Sequence, residues 1–131
     1  MIRRFQRDFS DLRGNIAAAL EKEGLKVVAE VPTSDILAKA GYPGPGIHQV
    51  FFFRPDFMNA IVHGNRDASG SAESCDALMS APLKAIILEE TGGATVRWQD
   101  PVDVFKSHRA FDRFARDLKD QVVRALDRLE T

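Results

Sequence analysis

Four side chains in this sequence carry obvious reactivity: His48, His63, Cys75 and His108. Imidazole and thiolate are common zinc ligands and common partners in nucleophilic catalysis. A metal- or thiol-dependent enzyme or sensor is therefore the chemistry they would support. Their spacing does not strengthen that reading. Metal sites announce themselves by short intervals, such as two histidines on one helical face, and here no pair is local. Only convergence in the fold could join them, since His48 begins an expected strand and His63 ends an expected helix. Surface or capping histidines explain the same residues more simply, and the dipole of a helix C-terminus would favour His63 in any case. Cys75 sits in Glu73-Ser74-Cys75-Asp76, where the neighbouring carboxylates oppose the thiolate that a reactive cysteine needs. A single cysteine also excludes an internal disulfide and a zinc site built on several cysteines.

Two loops invite a ligand. Gly41-Tyr42-Pro43-Gly44-Pro45-Gly46 has the glycines of a phosphate loop but lacks the lysine and hydroxyl ending that gives such loops their mechanism. Its two prolines also remove backbone donors, so it reads as a rigid turn. Gly64-Asn65-Arg66-Asp67, followed by Gly70, is a candidate binding loop within a long apolar-poor stretch. Phe51-Phe52-Phe53 and Trp98 are simplest as core residues, with a ligand-facing pocket as the sharper alternative. The ligand-binding candidates are accordingly His48, His63, Arg66 and Trp98. No catalytic residue, metal ligand or cofactor is assigned.

The elements that must position these residues follow from periodicity. Ile2, Phe5, Phe9, Leu12, Ile16, Ala19 and Leu20 recur at helical spacing. They fit one helix over 2–23, or a strand near 2–8 followed by a helix capped by Ser10. Gly24 stops either helix. Leu25–Val31 reads as a strand, and Asp35–Ala40 as a short helix capped by Thr33 or Ser34. Ile47–Phe53 is the clearest strand, its continuous apolar run predicting burial on both faces. Pro55 opens a helix with Phe57, Met58, Ile61 and Val62. Residues 64–81 read as a loop with a helical turn near Glu73–Met79. Pro82–Glu90 and Ala94–Gln99 are strands joined by a tight hairpin at Gly92-Gly93. A long amphipathic helix over about 108–129 places Phe111, Phe114, Leu118, Val122, Ala125, Leu126 and Leu129 on one stripe. The expected class is α+β: a mixed or antiparallel sheet of four to five strands, helices on one side, and a long C-terminal helix.

The totals exclude several classes. The chain has 131 residues, enough for one core in one domain, 1–131, without a staple. Net charge is −1, so no basic excess points to nucleic acid. The terminal helix carries Arg109, Arg113, Arg116, Lys119, Arg124 and Arg128, but Asp112, Asp117, Asp120 and Asp127 interleave with them. That pattern is a solvated face, while the apolar stripe opposite could pack on a partner subunit. No apolar run approaches the roughly 20 residues of a membrane span, and the basic start is followed by no leader-like stretch. A cytoplasmic location is expected, with neither nucleic acid nor membrane as partner.

Several pieces, in order, resemble the domain of unknown function family 302. They are Glu23-Gly24-Leu25 and Ala29-Glu30-Val31, then Asp35-Ile36-Leu37-Ala38-Lys39-Ala40-Gly41, then Arg54-Pro55. Last comes Ala81-Pro82-Leu83-Lys84-Ala85-Ile86-Ile87-Leu88-Glu89-Glu90. The resemblance covers about residues 10–100. Where that family often has Leu-Pro-Cys-Arg, this chain has Ala81-Pro82-Leu83-Lys84, and segments 41–46 and 64–81 look expanded. The resemblance implies a small α+β fold, a first strand near 2–8 and a dimer, and it supplies no activity and no site residues. The expectation is a non-catalytic homodimer that binds a small ligand or a protein partner, with the metal- or thiol-dependent protein as the alternative.

Overall fold

Residues 2–23 form a strand and then a helix, not one long helix. The computed structural model describes the backbone of residues 1–64 and 72–130 and the side chains of 1–63 and 76–130. Strand β1 (Ile2–Phe5) leads into α1 (Phe9–Lys22). The cap of α1 is Asp8, whose carboxylate accepts from the Asp11 N–H at 2.8 Å, rather than Ser10, which lies inside the first turn. Phe9, Leu12, Ile16, Ala19 and Leu20 make its buried stripe.

After β2 (Lys26–Val31) come α2 (Thr33–Lys39) and β3 (Ile47–Phe53). Next is α3 (Pro55–Asn59), extended by one π turn (Ala60–Gly64) and followed by α4 (Ala72–Met79). The hairpin β4 (Leu83–Glu90) and β5 (Gly93–Trp98) precedes a single-turn α5 (Pro101–Val104). A 3-10 turn (Arg109–Phe111) then feeds α6 (Asp112–Leu129). The terminal helix thus starts later than the pattern predicts, because residues 109–111 wind more tightly first. The candidate loop around Arg66 lies outside the described residues.

The five strands form one antiparallel sheet in the order β1-β5-β4-β3-β2. Glu90 pairs with Gly93, so the turn residues are Thr91 and Gly92, one position earlier than expected. Gly92 holds φ +79, a left-handed conformation suited to glycine. Gly93 is the first residue of β5, and a Cβ there would lie 2.1 Å from the Phe5 carbonyl oxygen. The close approach of β1 to β5 therefore depends on a missing side chain.

The inner face of the sheet carries Phe5, Val50, Phe52, Leu83, Ala85, Ile87, Ala94, Val96 and Trp98, all buried in one cluster with the stripes of α1 and α6. Helices α1 and α6 pack side by side, with α1 against β4 and β5. The apolar stripe of α6 is thus used within the chain, on α1. Its buried members are Ala115, Leu118, Val122, Ala125, Leu126 and Leu129, and Phe114 is only partly buried, against Phe57.

Strand β3 does not bury both faces. Its burial alternates: His48, Val50 and Phe52 are inside, while Ile47, Gln49, Phe51 and Phe53 are partly exposed. The outer face is left open, so only one phenylalanine of the three is a full core residue. A run of three identical residues carries no alternation by which sequence could tell these faces apart. In β2 the register slips between Val27 and Ala29, and the bulge leaves Val28 46% exposed.

Candidate functional site

Alternation along β4 and β5 sends Lys84, Ile86, Leu88 and Glu90 to the outer face, together with Thr95 and Arg97. Arg97 stands opposite Ile86 on one side and Ile2 on the other, giving the cross-strand row Ile2–Arg97–Ile86. Here an open cleft of about 300 Å³ is walled by Ile2, Lys84, Ile86, Arg97, Trp98 and Gln99, with Met1 at its rim. Ile86 is partly buried and forms the floor, whereas Ile2 is 59% exposed.

The cleft is electrostatically one-sided. Among the described residues Lys84 reaches only the Gln49 side-chain oxygen, at 3.5 Å, and no ion pair uses Lys84 or Arg97. The outer-face carboxylate of Glu90 is already committed: Arg4 donates to it at 2.7 Å and the Thr95 hydroxyl at 3.2 Å.

Two of the other recesses are spent on structure. A crevice lined by Phe52, Phe57, Ile61 and Phe105 offers about 10 Å³, room for no more than a water. A larger cleft of about 390 Å³ between α1 and the end of α6 carries Arg7, Lys22 and Arg128. Its arginines are engaged, Arg7 with Asp11 and the Leu129 carbonyl and Arg128 with Glu23.

Glu23, the C-cap residue of α1, ties that helix to α6. One carboxylate oxygen accepts from Arg124 Nε and the other from Arg128 Nε, each at 3.0 Å, and Gln121 donates to the Glu23 carbonyl at 2.7 Å. The hydrogen bonds from Arg124 and Arg128 hold this carboxyl below the usual range. Asp11 is likewise lowered by its hydrogen bond from Arg7, whose own basicity rises in return.

Among the described residues the three histidines belong to no common metal-holding cluster. His48 is buried on the inner face, with Nε2 3.0 Å from Glu30 Oε1, and its Nδ1 meets no hydrogen-bond partner among the described residues. His63 is exposed in the π turn after α3. His108 is buried beside the Phe111 ring, centroid to centroid 6.3 Å, on the turn that leads to α6. The side chain of Cys75, on α4, lies outside the described residues. Among the described residues no three of His, Cys, Asp and Glu come together to hold a metal ion. Among the described ligand-binding candidates only Trp98 borders the outer cleft, and the residue is 6% exposed.

Lys84, Ile86 and Arg97 were not singled out by sequence reasoning. The signal was present, because each is the odd member of an alternating strand: Lys84 in Leu83-Lys84-Ala85 and Arg97 in Val96-Arg97-Trp98. Pairing the two strands in register is what brings them together.

Comparison with known proteins agrees with this architecture. The family model described as "Domain of unknown function DUF302" matches residues 1–129. That span exceeds the resemblance expected over 10–100 and takes in β1 and α6. A solved structure, an uncharacterized conserved DUF302 protein from Bacillus stearothermophilus, superposes with a TM-score of 0.80. It is 14% identical, and the match covers 98% of this chain and 95% of that one. At that identity the likeness shows the shared fold alone. No curated protein matches. No helix among the described residues is long and apolar enough to cross a membrane.

Proposed function

This chain belongs to the DUF302 family, whose name carries no activity, and from that premise we propose a non-catalytic binding module whose recognition surface is the outer face of its sheet. The observation that carries the reading is the one-sided sheet. The inner face is closed by helices, while Ile47, Phe51, Phe53, Ile86 and Leu88 remain partly exposed and Ile2 is exposed on the outer one. Ile47 lies directly opposite Leu88, and apolar groups exposed side by side mark a contact or ligand site where the patch is large. The polar pairs that could resemble catalytic groups serve structure instead: Glu30 supports a buried histidine, and Glu23 joins two helices.

Native mass spectrometry of freshly purified protein tests this, with Ile86→Glu as the comparison and circular dichroism to check its fold. The expected result is extra mass on the wild type, whether small ligand or protein, that the folded variant loses. A bare wild-type chain, or a bound species that the variant retains, overturns the reading.

A second reading, pairing of two copies, has its own support. Helix α2 buries none of its residues, and Ile36, Leu37 and Tyr42 are 53%, 41% and 70% exposed. A helix of seven residues has little stability by itself, and these residues, with Val28, leave the β2–α2 edge apolar. A homodimer closed at that edge would leave the cleft by β1 and β5 accessible. Sedimentation should give a dimer that the double variant Ile36→Lys, Leu37→Lys dissociates; a wild-type monomer at high concentration rejects it.

A further inference from the structure

We propose that the outer-face cleft between β1, β5 and β4 binds a small amphipathic carboxylate, its head between Lys84 and Arg97 and its apolar body along Ile86 and Ile2. The inference rests on the outer face being the recognition surface, and it names the ligand class of that surface.

Position comes first. Arg97 faces Ile86 directly across the β4–β5 ladder, and Lys84 is two residues from Ile86 on the same strand and the same face. That makes Lys84 and Arg97 diagonal neighbours, with backbones about 7–8 Å apart, close enough for two long side chains to converge on one anion. Charge comes second. Each cation lacks an ion-pair partner among the described residues, and Glu90 is already held by Arg4 and Thr95. Two adjacent uncompensated cations repel, and a bound carboxylate relieves that repulsion while accepting charge-assisted hydrogen bonds from both.

Surface chemistry comes third. The floor between and beside the cations is aliphatic, so a bare inorganic anion would leave Ile86 and Ile2 in water. A neutral hydrocarbon would leave the cations unused. Only a ligand with both parts satisfies both. The volume, about 300 Å³, lies at the lower end of the small-molecule range of roughly 300–1,000 Å³ and suits one short organic acid. Two side-chain cations and the Met1 ammonium, without stacked exposed aromatics, are too few for a nucleic-acid track.

The test uses the intact chain and three probes: decanoate below its micelle concentration, decanol as the uncharged counterpart, and inorganic phosphate as the head alone. Calorimetric titration should show one saturable decanoate site per chain. Losing one charge-assisted hydrogen bond should weaken it about tenfold or more in Arg97→Gln and again in Lys84→Gln. Both side chains are at the surface, so circular dichroism should show the fold intact. Decanol binding as tightly as decanoate overturns the proposal, because the cleft is then only an apolar groove. Phosphate binding as tightly overturns it as well, because the apolar floor is then irrelevant. If decanoate fails to bind while Ile86→Glu still releases a species from the native protein, the ligand class is wrong and the recognition surface stands. A dimer that forms through this face and ignores decanoate has the same meaning. If decanoate fails and the wild type also carries nothing, both readings fall together.

Discussion

Arg97 of β5 lies directly opposite Ile86 of β4, so a guanidinium with no carboxylate partner among the described residues rises from an aliphatic floor on the outer face of the sheet. The opposite face of the same two strands carries Ala85, Ile87, Val96 and Trp98 and is buried under helices. This contrast between faces organises what the fold predicts.

Phe51 and Phe52 are neighbours with unequal stakes. Phe52 is fully buried on the inner face, and its truncation to alanine should cost about 3–5 kcal/mol. Phe51 is partly exposed on the outer face, and the same change should cost under about 2 kcal/mol, since less apolar area leaves contact. Urea unfolding of the two variants measures the difference. Equal costs would mean that the outer face is covered in solution.

Gly93→Ala should destabilise the chain even though alanine is the smaller-risk residue in most strands. The added methyl would sit 2.1 Å from the Phe5 carbonyl oxygen, so β1 must move away from β5. Overpacking of this type costs about 1–3 kcal/mol. Hydrogen exchange should localise the loss to the amides that pair residues 2–5 with 94–97. Protection there equal to wild type would show that the contact can relax.

Glu30→Ala and Glu30→Gln should differ. The buried His48 ring has Nε2 within 3.0 Å of Glu30 Oε1, and glutamine retains an acceptor oxygen at that place. Alanine leaves the imidazole N–H without it, at about 1 kcal/mol given that Glu30 is 40% exposed and water can reach the position. Glutamine should stay close to wild type at neutral pH. Thermal melts that rank the two variants the other way would contradict this account.

Acid should loosen the joint between α1 and α6. Arg124 and Arg128 hold the Glu23 carboxyl below its usual range, so its folded pKa is lower than its unfolded one. A carboxyl depressed in this sense adds stability above the unfolded value of about 4.3 and loses it as pH falls through the folded value. Asp11, lowered by Arg7, acts in the same direction. Glu23→Gln should therefore be less stable than wild type at pH 7, and the gap should close toward pH 3. Urea midpoints across that range report it. A gap that persists unchanged at pH 3 would assign the effect to something other than this carboxylate.

How much of this was legible in advance varies by element. The hairpin, the strand at 47–53 and the terminal helix follow from local signals. The glycine pair, the β-branched and aromatic run and the 3.6-residue stripe each declare themselves within a short window. The choice at the N-terminus did not, because Ile2, Phe5 and Phe9 satisfy a helical stripe as well as a short strand next to a helix. Pairing with β5 decided it: Ile2 to Phe5 find ladder partners in Ala94 to Arg97. Histidines and the cysteine stood out by type, yet the structure uses His48 as a buried member of a pair with Glu30 and leaves His63 exposed in a turn.

By itself the sequence determined an α+β class, most element positions and the apolar residues available to a core, because propensity and periodicity act over neighbours along the chain. Only the tertiary structure decided which face of the sheet is covered, and so which of three consecutive phenylalanines is core. It alone placed Lys84 beside Arg97. Their separation of 13 positions is bridged by a hairpin register, and side-chain direction in a strand is fixed only once that register is set.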